Sequence, residues 1–203
     1  MVYHLSSIAR RSLSYAWLIV LLALPVLVSS EIAEQEYRLR IDEFHETLVQ
    51  AMKIADVHER EILLAKSISP LFDTRRIAAV SLGRTWRSMA EPQRAEFVEL
   101  LSELVVATYA DRFDEYNDQT FITDAVTSVK AGYVVQTKLI RRNGEFVRLD
   151  YVFRDGGIFN VVADGVSDLS LRRADYNSIV KTEGYAALLT HMQDKIVLAR
   201  AEK

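Results

Sequence analysis

The chain has no cysteine among its 203 residues. Disulfides, thiolate metal sites and cysteine nucleophiles are therefore excluded, and the fold must hold together by packing. It also lacks a surplus of basic charge. Its 25 Lys and Arg stand against 28 Asp and Glu, a formal net charge of −3. A nucleic-acid partner would want a basic stripe, and this balance argues against one. The G-x-x-x-x-G-K, G-x-G-x-x-G and H-E-x-x-H motifs of phosphate, dinucleotide and zinc chemistry are all missing. Ser167 lies in GVSDL, which lacks the second glycine of a nucleophile elbow. No two of His45, His58 and His191 stand four residues apart, and each has polar sequence neighbours. They read as surface histidines, not as metal ligands.

The N-terminal apolar run is too short for a relaxed membrane crossing, which takes about 20 residues. AWLIVLLALPVLV, at 16–28, has 13. Before it lie Arg10 and Arg11 and no acid; after it come the small Ser29 and Ser30, then Glu31. A basic segment, an apolar segment and a small-residue zone, in that order, make an export signal. Residues 1–30 are expected to be a signal peptide cut after Ser30, with an uncleaved anchor as the alternative. Residues 31–203 are then one domain working outside the cytoplasm, long enough for a sizeable core. Losing two arginines and no acid takes the net charge from −3 to −5.

That domain reads as three blocks. In the first, about 31–116, apolar residues recur at helical spacing: Ile41, Phe44, Leu48, Met52 and Ala55. A short apolar piece, Ile62 to Ile68, stops at Pro70. Asp73 is placed to cap RRIAAVSL, with Gly83 just past its end. The clearest helix follows Trp86. Phe97, Leu100, Leu101, Leu104, Val105, Thr108 and Tyr109 form its dry face, and Ser88 with Glu91 has capping-box spacing ahead of Pro92.

The second block, about 119–166, alternates. FITDAVTSV and GYVVQTKLI precede Asn143-Gly144, the strongest short hairpin signal. In EFVRLDYVF the apolar Val147, Leu149, Tyr151 and Phe153 alternate with charged Arg148 and Asp150, which gives a sheet with one dry and one wet face. Asp155-Gly156-Gly157 turns into IFNVVADGV, a fourth strand. The third block is helical again, with Ser170 placed to cap LRRADYNSIVKTE and Gly184 to end it. The expected class is α+β: an antiparallel four-stranded meander whose dry face is covered by the N-terminal and C-terminal helices.

Candidate chemistry is sparse. Asp150 faces away from Leu149 and Tyr151, so it is badly placed as a base in a dry pocket. Asp124 has an ambiguous register. Tyr151 alone is a weak candidate. Arg141, Arg142, Arg172 and Arg173 read as a solvated face, or as a contact for an acidic partner or a headgroup. Phe72, Trp86, Phe97, Tyr109, Phe113, Phe121, Tyr151, Phe153, Phe159 and Tyr176 spread over all three blocks. Periodicity does not separate a filled aromatic core from a hollow one.

The run FDTRRIAAVSLGRTWRSMAEPQRAEFVELLSELVVATYADRF is similar to the helical core of the MlaC/toluene-tolerance family of periplasmic lipid-binding proteins. The matching residues are Phe72, Asp73, Gly83, Trp86, Gln93, Arg94, Phe97 and Tyr109. VRLDYVFR resembles the family's central strand. VVADGVSDLSLRRADYNSIVKTEGYAALL resembles its closing strand, its turn (Gly165, Val166, Ser167) and its Arg-containing helix (Arg172, Arg173, Tyr176). RFDEYNDQTF leans toward the hopanoid-associated HpnM branch. The resemblance spans about residues 40–195. Phe159 stands in a region where the family usually has Trp, which leaves the fold reading intact and puts pocket detail in question.

The resemblance implies a hollow between sheet and helices that takes lipid acyl chains, with no cofactor. It implies a carrier of phospholipid, or of a hopanoid, between an inner-membrane ABC transporter with an MCE-domain ring and an outer-membrane lipoprotein complex. Facing and family position together put Phe72, Ile77, Phe97, Leu101, Leu104, Val147, Leu149, Tyr151, Val161 and Val166 on the cavity wall. Exposing a tail to water costs about 0.8 kcal/mol per methylene. Two tails of roughly fifteen methylenes cost on the order of 20 kcal/mol, so unaided transit is negligible. A carrier needs a dry cavity and an opening, and no catalytic residue. Two other classes stay open: a cup-shaped isomerase-like enzyme, which needs an inward carboxylate or histidine, and a structural envelope adaptor with a filled core.

Overall fold

The turns decide the sheet. In a computed structural model describing residues 16–201, with side-chain surroundings from residue 31 onward, β1 (Thr120–Val129), β2 (Gly132–Ile140), β3 (Phe146–Arg154) and β4 (Gly157–Ala163) form an antiparallel meander. Gly132 opens β2 at φ +148, where a Cβ would lie 2.0 Å from the Phe153 carbonyl oxygen. At Asn143-Gly144 the Glu145 N–H donates to Asn143 Oδ1 at 3.0 Å, and Gly144 takes φ 84. Asp155 and Gly156 both have positive φ, 50 and 85, the twist a two-residue hairpin turn requires.

The sheet has five strands, not four. Asp164 and Gly165, at φ 47 and 83, make another such turn and fold Val166–Ser167 (β5) back onto Val162 and Ala163. A two-residue strand is too short to leave an alternation in the sequence. Asp124 is the extra residue of a bulge in β1, where the register shifts between Thr123 and Ala125. That bulge is why its facing was ambiguous. Its carboxylate pairs with Lys138 Nζ at 2.8 Å.

The described residues also form seven helices: α1 (Ala16–Ala51), α2 (Val57–Leu71), α3 (Thr74–Leu82), α4 (Arg84–Ser88), α5 (Glu91–Arg112), α6 (Asp168–Thr182) and α7 (Tyr185–Arg200). Helix α1 runs without a break past Ser30. Arg10, Arg11 and the side chains of 16–30, on which the signal-peptide expectation rests, lie outside the described residues. Among the described residues, no helix is long and apolar enough to cross a membrane.

Capping partly follows the expected positions. The Asp73 carboxylate accepts from the Arg76 N–H at 2.9 Å, and Gly83 closes α3 at φ 54. Helix α5 is not capped from Ser88, whose hydroxyl donates to the Thr85 carbonyl inside α4. Instead the Gln93 side chain accepts from the Ala90 N–H at 3.0 Å, and Pro92 sits where its missing N–H has no helical partner to lose. In α6 the three-residue spacing is right but the role reversed: Ser167 is the cap, and it accepts from the Ser170 N–H.

Helix α1 covers one end of the dry sheet face. Tyr37 stacks on Tyr133 and meets Phe153 at a tilt (ring centroids 4.4 and 4.8 Å), and Phe44 meets Tyr151 edge-on at 6.1 Å. Arg38 donates to the Thr123 carbonyl at 2.7 Å, and the Thr123 hydroxyl donates to Asp42 at 2.6 Å. His45 is not a surface histidine. It is 4% exposed, stacks on Phe121 at 4.1 Å and shares a 3.1 Å hydrogen bond with the Tyr151 hydroxyl. Its polar sequence neighbours mislead, because helical spacing from Ile41 and Leu48 puts it on their buried stripe. Helix α5 packs on α2, α3 and α7, while α6 packs on α3 and on β4.

Candidate functional site

The dry face of β3 changes along its length. Phe153 and Tyr151 are buried beneath α1, but Leu149 and Val147 are only half-buried. The ladder sets Leu139 opposite Val147, Ala163 opposite Leu149, and Val161 opposite Tyr151. These six make an apolar floor. The opposing wall is the C-terminal half of α5, through Val105, Thr108 and Tyr109, continued by Phe113. Phe72 and Ile77 close one side, and Phe159, the extra residue of a bulge in β4, closes another. Between floor and wall lies a cavity of about 250 Å³.

The sides are held by specific bonds. The Asp73 N–H donates to the Ile158 carbonyl at 2.9 Å, which ties the start of α3 to β4. Gly157 permits that approach, since a Cβ there would sit 2.9 Å from Asp73 Cβ. Asn160 ties α6 to β4: its Oδ1 accepts from the Ser167 hydroxyl at 3.0 Å and the Leu169 N–H at 3.1 Å.

The mouth is charged. Thr108, Arg112, Asp168 and Arg172 line the cavity and also line an outer groove of about 590 Å³ between α5, α6 and α7. Arg172 donates to Asp168 at 3.0 Å and to the Tyr176 hydroxyl at 3.1 Å. Burial works against its charge, but Tyr176 and Asp168 outweigh that, and the guanidinium pKa rises. Inside the cavity, burial raises the pKa of both Tyr109 and Tyr151, so both phenols are neutral. Burial pulls the His45 pKa down to about 3.

Six of the ten residues expected on the wall are there: Phe72, Ile77, Val147, Leu149, Tyr151 and Val161. Four are not. Phe97 is fully buried on the far side of α5, against Tyr176 and Tyr185 at 6.0 and 6.3 Å. Leu101 is fully buried in the core without reaching the cavity. Leu104 lines the outer groove. Val166, on the edge strand β5, is 52% exposed. Of the arginine cluster, only Arg172 reaches the cavity; Arg141 and Arg142 are exposed beside Glu145 and Asp118. Reasoning from sequence missed Leu139 and Ala163, because the loop closed by the Arg141 N–H on the Glu145 carbonyl and the bulge at Phe159 each shift the register by one residue from that of a tight two-residue turn, and that shift brings both onto the dry face. Asp124 does not line the cavity; its carboxylate pairs with Lys138 at 2.8 Å, and the carboxylate that reaches the cavity is Asp168. Among the described residues, no group of His, Cys, Asp and Glu could hold a metal ion.

Residues 40–194 match the family model described as MlaC protein. No curated protein matches the chain. The solved structure of the phospholipid-binding protein from Ralstonia solanacearum, in complex with a phospholipid, is similar at a TM-score of 0.70 and 17% identity. The match covers 83% of this chain and 99% of that one, and at this identity the likeness is one of fold.

Proposed function

The chain belongs to the MlaC family, and from that premise we propose that it is a periplasmic lipid carrier which binds acyl chains between β3–β4 and α5. The observation that carries this reading is the uncovered half of the dry sheet face. Val147 and Leu149 are half-buried, beside an apolar space that no side chain of the described residues fills. An adaptor with a filled core has no use for that space. The phospholipid bound to the Ralstonia solanacearum protein, on the same fold, supports the same reading.

The volume sets a condition. A methylene takes about the share of a liquid water molecule, about 30 Å³, so two tails need on the order of 900 Å³. The 250 Å³ present houses a fraction of one tail. Loading therefore has to part the walls. Helices α1, α3 and α6 are bonded to the sheet through Arg38 and Asp42, Asp73, and Asn160. Helix α5 leans mainly on other helices, so it is the wall that yields.

In this reading residues 1–30 direct export, and cleavage after Ser30 frees the carrier from the membrane it crossed. Its partners are the MCE-domain ABC transporter of the inner membrane and a lipoprotein complex of the outer membrane. The test is native mass spectrometry of the protein purified from its own host. Extractable diacyl lipid in a fixed ratio to protein is expected; protein consistently free of lipid sinks the proposal.

A further inference from the structure

Arg172 is only 13% exposed. Its two terminal nitrogens are engaged by Asp168 and Tyr176, but its buried Nε has no hydrogen-bond partner. A buried donor without an acceptor is unfavourable, and native structures rarely keep one without a reason. The carboxylate paired with it, Asp168, is itself 49% exposed and meets the guanidinium through a 3.0 Å contact. Arg112 lines both spaces as well, and so the residues they share include two guanidinium groups and one carboxylate.

The position of this group adds a second constraint. Arg172 lines both the apolar cavity and the polar outer groove, which holds Asp111, Asp175 and Lys195. A ligand that spans both is apolar at its inner end and charged or polar beyond the mouth. At the junction it meets a cation with a spare donor. A guanidinium fork matches an anion with two or more oxygens, such as a phosphodiester or a carboxylate. A neutral polycycle such as a hopanoid hydrocarbon offers no acceptor there.

We propose that Arg172, with Arg112 lining the same two spaces, is an anion receptor that takes the phosphodiester or carboxylate of an amphiphile whose tail lies in the cavity. Asp168 is its stand-in when no ligand is bound, and the ligand anion displaces it. Arg172 thus fixes the orientation of the ligand, tail inward and headgroup in the outer groove, and selects anionic amphiphiles over neutral ones. This rests on the carrier reading and deepens it.

The experiment is displacement of a neutral fluorescent diacylglycerol from delipidated protein by three competitors sharing oleoyl chains: phosphatidylglycerol, diacylglycerol and oleic acid. A charge-assisted contact in a buried mouth makes the wild-type preference for phosphatidylglycerol over diacylglycerol on the order of tenfold or more. In Arg172→Gln that ratio falls to about one while diacylglycerol still binds. In Asp168→Asn, which removes the competitor, the ratio holds or rises. A purely structural ion pair predicts that both variants fail together, and that result overturns the proposal. So does an Arg172→Gln variant that keeps the wild-type ratio. Should Arg172→Gln fail to fold, Asp168→Asn decides alone: a raised or intact ratio supports the receptor, and a collapsed ratio refutes it. If wild type binds both diacyl lipids equally, the receptor is refuted and the carrier stands; if it binds neither, both fall. Displacement by oleic acid that depends on Arg172 adds the carboxylate as a source of the anion, and without it the phosphodiester is the ligand group.

Discussion

His45 makes the stability of this protein depend on pH in a calculable way. In the unfolded chain an imidazole titrates near 6.5; in the fold, burial holds it near 3. Between those values the unfolded state binds a proton that the native state refuses, so stability falls as the pH falls. The contribution is complete above pH 6.5 and is lost progressively toward pH 3. Each pH unit within that window is worth about 1.4 kcal/mol. At pH 5 the loss is about 2 kcal/mol, a large part of a typical domain's margin. The groups facing the imidazole are the Tyr151 hydroxyl at 3.1 Å and the rings of Phe121 and Phe44, none of which titrates in this range. The perturbation is His45→Gln, which keeps a donor and an acceptor toward Tyr151 but cannot titrate. Urea unfolding of both proteins at pH 7.5, 6 and 5 gives two stability profiles, from which carboxylate effects common to both cancel. The wild type should lose about 2 kcal/mol more than the variant between pH 7.5 and 5. Parallel profiles would refute the argument, because they would mean that His45 is protonated in the native protein or hydrated there.

Three other outcomes follow from the same geometry. Leu149→Trp should fill the half-buried floor of the cavity, cutting co-purified lipid several-fold in native mass spectra while costing about 1–3 kcal/mol in urea unfolding. Gly132→Ala places a Cβ against the Phe153 carbonyl at 2.0 Å and should lower stability by at least about 2 kcal/mol, read as a fall in Tm. Asn160→Leu strips the Leu169 N–H and the Ser167 hydroxyl of their acceptor; the cost is about 1–3 kcal/mol, and the Leu169 amide should exchange faster with deuterium than its α6 neighbours.

The strands are legible in the sequence because two independent signals coincide there. Alternation in EFVRLDYVF fixes which side chains are dry, and Asn143-Gly144 and Asp155-Gly156 fix where the chain reverses. They do not determine the register: tight two-residue turns at 143–144 and 155–156 would set both Leu139 and Ala163 opposite Arg148 on the wet face, and it is the longer loop closed by the Arg141 N–H on the Glu145 carbonyl, and the bulge at Phe159, that bring them opposite Val147 and Leu149. Where the signals part, so does legibility. Asp124 sits in a bulge that breaks the alternation. Val166–Ser167 has a turn but no room for a pattern.

Helix α5 shows the deeper reason the site was only partly readable. Periodicity marks a residue as buried without saying what buries it. Phe97, Leu104 and Val105 all belong to the dry part of this helix, yet Phe97 meets Tyr176 and Tyr185, Leu104 opens on the outer groove, and Val105 faces the cavity. A helix with neighbours on nearly all sides has no single inner face. Which of its apolar residues touch the hollow is settled by α6 and α7, which arrive from the far end of the chain. The sheet has no such freedom, because its dry face meets either α1 or the cavity. Hence the residues expected on the wall from β3 and β4, Val147, Leu149, Tyr151 and Val161, are all on it, while those taken from α5 and Val166 on the edge strand β5 are not. The mouth was hardest to foresee for a related reason. Arg172 looked like one member of a solvated cluster, and only the i,i+4 pairing with Asp168 at the foot of α6, set against the end of α5, brings it to the junction of the apolar and polar spaces.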